Sequence, residues 1–207
     1  MAGVDVSRYN PEVDWAALRA AGHRFAYVKA TEGTSHRSPT FAAQADGARE
    51  QGLFVGGYHY ARPASSDGAT QARFFADNGG GWTPDGRTLP GALDLEGNTS
   101  GDRCYDLTPA QLRAWVQDFS DAYADVTGRF PVVYVKAVTW AQCLGDQPAA
   151  RPGQHLWLYD HGAAPGALPP GWDRPTFWQR AIEDGLDRNV FYGTEADLAR
   201  LADDPHS

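Results

Sequence analysis

Leu89-Pro90-Gly91-Ala92-Leu93-Asp94-Leu95-Glu96 is an apolar run ending in acid, and together with the two segments after it this run decides the fold. Thr108-Pro109-Ala110-Gln111 carries the capping-box pattern, with proline at the first helical position. Behind it Leu112, Trp115, Val116, Phe119, Tyr123 and Val126 recur on one helical face. Pro131 to Val135 is then apolar and β-branched again. The order is strand, helix, strand, and strands joined through a helix run parallel.

The same alternation extends towards the N-terminus. Gly3 to Val6 is short and apolar, and Asp14 reads as an N-cap for a helix over Trp15 to Ala21 closed by Gly22. Phe25 to Val28 is a strand, followed by a polar loop and a helix from about Thr40 to Gln51. Leu53 to Tyr60 is the next strand, with a helix from about Ala69 to Asn78. Beyond Pro131–Val135 comes a short helix around Val138 to Leu144, after which helices thin out. Leu156 to Tyr159, Thr176 to Gln179 and Asn189 to Phe191 read as strands joined by Pro- and Gly-rich loops, and Thr194 to Leu201 closes as a helix. This pattern predicts an α/β barrel with missing helices, one domain over residues 1–207, with its chemistry where the strands end C-terminally.

Composition narrows the partners. A net charge of -8, with no clustered Lys and Arg, argues against nucleic acid and against an anionic membrane surface. No apolar stretch approaches the ~20 residues of a membrane span. Met1-Ala2-Gly3-Val4-Asp5 has neither the charged nor the apolar region of a signal peptide. Two cysteines, Cys104 and Cys143, leave one disulfide and two buried thiols equally open.

Asp94 and Glu96 stand two apart, so on a strand they share a face, ~6.6 Å apart along it. Glycoside hydrolysis needs a protonated acid for the leaving oxygen and a negative group for the oxocarbenium-like state. Proximity divides those roles, because like charges push one pKa up. A D-x-E triplet is common, but carboxylates at the end of an apolar strand need a reason to be buried. Asp5 alone is as readily a loop cap, and His59 alone is more often a core histidine than a base. Most of the seven tryptophans are expected in the core, a few exposed ones suiting sugar faces. His36, His59, His155, His161 and His206 show no metal-ligand spacing, so neither metal nor cofactor is expected. Gly79-Gly80-Gly81 lacks the Lys and Ser/Thr of a phosphate loop, and no serine lies in a G-x-S-x-G context.

Six stretches occur in one order: Gly3-Val4-Asp5-Val6-Ser7, Tyr27 to Gly33, Gly57 to Pro63, Leu93-Asp94-Leu95-Glu96, Phe177-Trp178-Gln179, and Leu186 to Gly193. Together they resemble glycoside hydrolase family 25, the Chalaropsis-type lysozymes, and most closely its streptomycete and fungal branch. The resemblance spans essentially the whole chain. It implies a (β/α)5(β)3 barrel and cleavage of the β-1,4 bond between N-acetylmuramic acid and N-acetylglucosamine in bacterial cell-wall peptidoglycan. It places the proton donor at Glu96 and further site acids at Asp94, Asp5 and Asp187. It also implies a retaining reaction, with an aspartate or the substrate acetamido group as nucleophile, and in the second case Asp94 stabilises that group. Lys29, Glu32, Tyr58, His59, Tyr134, Trp140 and Trp178 become sugar-binding candidates. A Cys104–Cys143 disulfide is implied too, and with it a secreted, monomeric enzyme in an oxidising compartment.

Three places depart from the family pattern: Tyr134-Val135-Lys136, Leu156 to His161, and Tyr60 where phenylalanine is usual. Lys136 and Asp160 stand as a candidate surface ion pair. A chitinase-like D-x-E barrel is disfavoured by Ala92, where those enzymes carry another aspartate. A non-catalytic sugar-binding barrel is disfavoured by the complete acid set.

Overall fold

The computed structural model describes residues 1–148 and 151–205. In chain order its elements are β1 (Ala2–Val6), α1 (Trp15–Ala20), β2 (His23–Glu32), β3 (His36–Arg37), α2 (Phe41–Glu50), β4 (Phe54–Tyr60), α3 (Gly68–Phe75), β5 (Ala92–Leu95), α4 (Pro109–Thr127), β6 (Val132–Val135), α5 (Ala137–Cys143), β7 (Leu156–Tyr159), β8 (Phe177–Glu183), β9 (Leu186–Phe191) and α6 (Glu195–Asp203). Eight strands close a barrel in the order β1, β2, β4, β5, β6, β7, β8, β9, and β9 returns to β1. The two-residue β3 lies on the outer edge of β2. Neighbours from β1 round to β8 are parallel, as five strand-helix units demand.

β9 is antiparallel to both β8 and β1. The cause is local: β8 and β9 are joined by Asp184-Gly185, with φ of 53° and 74°. Two successive left-handed residues make the tight turn that Asp-Gly favours. The start of β9 therefore lies at the same barrel end as the C-termini of the other strands.

Local chemistry sets the helix ends. Asp14 accepts from the Ala17 amide at 2.8 Å, and Thr108 with Gln111 forms the expected capping box ahead of Pro109. Gly128, at φ 85°, ends α4. The helix expected as far as Asn78 instead passes into a π-helical turn over Ala76–Gly80, because Asn78 and Gly79 leave helical geometry.

Period-two alternation divides the core. Phe25, Tyr27, Phe54, Ala92, Val132, Trp157 and Phe177 fill the barrel interior. Gly56 makes room there, since a Cβ would stand 2.4 Å from the Tyr27 ring. The alternate residues face outward under the helices: Val4, Val6, Ala26 and Val28 in one cluster, Leu93, Leu95, Val133 and Val135 in another. A side chain's place in that alternation decides whether it can reach the barrel mouth.

Candidate active site

Asp5, Asp94, Glu96 and Asp187 line one cavity of about 220 Å³ at the mouth. Each arrives by a different route. Asp94 is the last inward residue of β5, with Glu96 one step past its end. Asp5 lies in β1 directly opposite Asp187 of β9, so the antiparallel return brings a late acid beside an early one. Asp5 and Asp94 are buried, at 7% and 6% exposure, and Glu96 and Asp187 are half-buried.

The acids differ in their partners. Asp5 Oδ2 accepts from Gln179 Nε2 at 2.9 Å and from Asn189 Nδ2 at 2.7 Å. Both amides are themselves oriented. The Trp157 indole, a donor only, gives its N–H to Asn189 Oδ1 at 2.8 Å, and Tyr134 donates to Gln179 Oε1 at 3.0 Å. Any proton on Asp5 therefore belongs on Oδ1. Asp94 Oδ1, by contrast, is buried with no hydrogen-bond partner among the described residues.

Every one of the four carboxyls is pushed up. Burial is the main cause at Asp5, followed by Asp187, and the two amide donors hold it back, leaving it at about 7. Burial and then Glu96 raise Asp94 well above the carboxylate range. Glu96 is raised by burial and Asp187, against the pull of Lys29, Arg62 and Lys136. Asp187 is raised by burial, with His161 opposing. The cavity thus favours carboxylic acids poised to give up protons.

A β-bulge places the neighbouring cation. Lys29 pairs across to Tyr58 and Thr31 to His59, so the register slips one residue between them. Lys29 and Glu32 consequently meet, Nζ to Oε2 at 2.7 Å. Arg62 Nε donates to the other Glu32 oxygen at 2.9 Å. Burial pushes Glu32 up, but Lys29 and Arg62 outweigh it and hold its carboxyl at about 2. Lys29 and Arg62 also lie over the Tyr60 ring, at 4.6 and 4.8 Å from its centroid. Tyr58 and Tyr134 line the cavity itself.

Five of the seven sugar-binding candidates do not line it: the paired Lys29 and Glu32, and also His59, Trp140 and Trp178. His59 follows Tyr58 on the outer face, fully buried, between Thr31 Oγ1 at 2.7 Å and Gln71 Oε1 at 2.9 Å. It is a core histidine, held neutral by burial with its pKa down to about 4. Trp140 is fully buried on α5 against Trp172. Trp178 alternates with Gln179 and so points away from the cavity, giving its indole N–H to the Asp160 carbonyl at 2.6 Å. The Lys136–Asp160 ion pair does not form either. Lys136 lies over the Tyr159 ring at 4.6 Å from the centroid, and Asp160 accepts from the Gly166 amide at 2.9 Å.

Five residues that sequence patterns do not mark as sugar-binding complete the cavity: Trp157, Tyr159, His161, Gln179 and Ile182. Gln179 and Asn189 both lie within the family motifs, and strand alternation assigns them inward. The loop after Glu96 is tied down twice. Cys104 and Cys143 form a disulfide to the end of α5, and Tyr105 donates to the Glu96 carbonyl at 2.9 Å. Among the described residues no group of three His, Cys, Asp or Glu side chains is arranged to hold a metal ion. His206 lies outside the described residues.

Residues 4–183 match the sequence profile of Glycosyl hydrolases family 25. The chain is 42% identical to an N,O-diacetylmuramidase of Chalaropsis sp, covering 97% of this chain and 98% of that one. It is 40% identical to Lysozyme M1 of Streptomyces globisporus, covering 97% and 70%. It superposes on the muramidase from Acremonium alcalophilum with a TM-score of 0.96, at 43% identity, covering 98% of this chain and 99% of the other.

Proposed function

The chain belongs to glycosyl hydrolase family 25, and from that premise we propose how its site works as a lysozyme. The enzyme hydrolyses peptidoglycan, and the bond cut is the β-1,4 link from N-acetylmuramic acid to N-acetylglucosamine. Glu96, whose pKa burial raises, gives its proton to the leaving oxygen as the C1–O bond breaks. Asp94 stabilises the intermediate: its unpartnered buried oxygen takes the acetamido N–H while the acetamido carbonyl closes on C1. Water then attacks C1 as the bond from C1 to the acetamido oxygen breaks, and Glu96 takes the water proton as base, which restores the acid and frees the acetamido group. Burial raises both Glu96 and Asp94 most, and by charge Asp187 adds to the rise at Glu96 and Asp5 to the rise at Asp94.

One observation carries this reading: a buried Asp94 oxygen without a partner among the described residues, two positions before Glu96, in a cavity that four acids share. Such an oxygen costs stability unless a ligand satisfies it. The enzyme acts as a monomer outside the cell, a placement supported by its wall substrate and its disulfide. No helix among the described residues is long and apolar enough to cross a membrane.

Digestion of purified peptidoglycan, with product ends identified by mass spectrometry, tests the bond. Muramic acid at the new reducing end is expected, and glucosamine there would make the enzyme a glucosaminidase. Glu96→Gln is expected to lower kcat by roughly 10²–10⁴ with an unchanged circular dichroism spectrum. A variant that keeps wild-type turnover removes Glu96 from the acid role.

A further inference from the structure

The β6–β7 rim of the cavity carries a cation that the reaction does not use. Lys29 and Arg62, the cations on the β2–β4 side, are both paired with Glu32. Lys136 is half-buried just past the end of β6 and forms no ion pair among the described residues. Its ammonium stands 4.6 Å from the centroid of Tyr159, a ring that lines the cavity. That ring is itself held, stacked at 10° on Tyr134 and packed by His161 at 4.8 Å. An aromatic face restrains the long lysine stem, so a bound anion need not order it afresh. The ammonium keeps hydrogens free to donate.

We propose that Lys136, seated on Tyr159, is a specificity residue that binds a carboxylate carried by the muramoyl substituent of the substrate. The inference rests on the peptidoglycan activity proposed for this site. The four acids that line the cavity offer an anionic substituent no partner of opposite charge, and a cation at this rim supplies one where a neutral glycan gains nothing. The carboxylate comes either from a free lactyl group or from the stem peptide, and both present the same oxygens to an ammonium.

Binding is measured in a Glu96→Gln background, so that a wrong bond assignment would show in digestion and leave this test intact. Three strands serve as probes: peptide-free glycan with free lactyl carboxylates, the same glycan with those groups converted to methylamides, and peptide-bearing glycan. Adding Lys136→Met should weaken binding by roughly two- to fivefold on whichever carboxylate strand supplies the anion, and leave the methylamide strand unchanged. Lys136→Arg should restore binding, and 1 M salt should erase the difference. Loss on the first strand names the lactyl group, and loss only on the third names the peptide. Equal loss on all three strands, or none on any, overturns the proposal, since general charge compensation does not distinguish them.

Discussion

Asp5 shows what single residues add beyond the acids themselves. Its Oδ2 takes two amide donors, each oriented by a neighbour that donates to the amide oxygen, the Trp157 indole to Asn189 and the Tyr134 hydroxyl to Gln179. Tyr134→Phe removes one such neighbour and frees the Gln179 amide to turn over. Asp5 then loses part of a donor that holds its pKa down, so its midpoint should rise above about 7, by up to about one unit. A carboxyl-carbon NMR titration of the substrate-free enzyme reads this directly, and an unchanged or lower midpoint refutes the clamp. Asp94 and Glu96 are legible in the sequence because period-two spacing and an apolar strand leave them little alternative. The amides are not, since neutral side chains carry no charge pattern and take their meaning only from what they touch. Trp178 is legible as chemistry but not as position, and His59, whose residue type alone favours the core, enters the sugar-binding set only through the family resemblance. Each alternates with a cavity residue, Tyr58 or Gln179, and that parity turns it outward.

At the scale of elements, caps and hydrophobic period reveal five strand-helix units, whereas the β8–β9 return escapes them. Asp184-Gly185 is a strong hairpin signal, but the strands on either side are longer than their apolar centres, so apolar pattern alone leaves a loop between them. That hairpin carries Ile182 and Asp187 to the cavity. The loop after β5 is the other device that sets the site, and its bridge to α5 spans 39 residues of sequence. Replacing Cys104 and Cys143 together by Ala should lower Tm by on the order of 10 °C. kcat should fall as well, because the freed loop carries Tyr105, the donor to the Glu96 carbonyl. Calorimetry and peptidoglycan turnover check both. A variant that melts earlier at full kcat would show that the bridge serves stability alone.

Across the whole molecule, the same acids set how stability depends on pH. A carboxyl with a higher pKa folded than unfolded binds its proton more tightly in the folded chain. It stabilises at low pH, and that contribution is lost as pH rises through the folded value. For Asp5 the window runs from 3.8 to about 7, and Asp94, Glu96 and Asp187 act in the same direction. His59 opposes them. Its pKa falls from 6.5 to about 4 on folding, so its contribution is present above 6.5 and lost as pH falls towards 4. His23 and the Met1 amino group, lowered by burial, act with it, but the four raised acids set the sign, and the protein should melt at a lower temperature at pH 8 than at pH 5. Asp5→Asn keeps the side chain's shape and an acceptor for the two amides while removing its charge. Relative to wild type, the variant should gain on the order of 2 kcal/mol more at pH 8 than at pH 5, even as turnover drops. Melting curves at the two pH values measure the difference. An equal shift at both would mean that Asp5 does not titrate in this range, and that the cavity carries less folding cost than its buried acids imply.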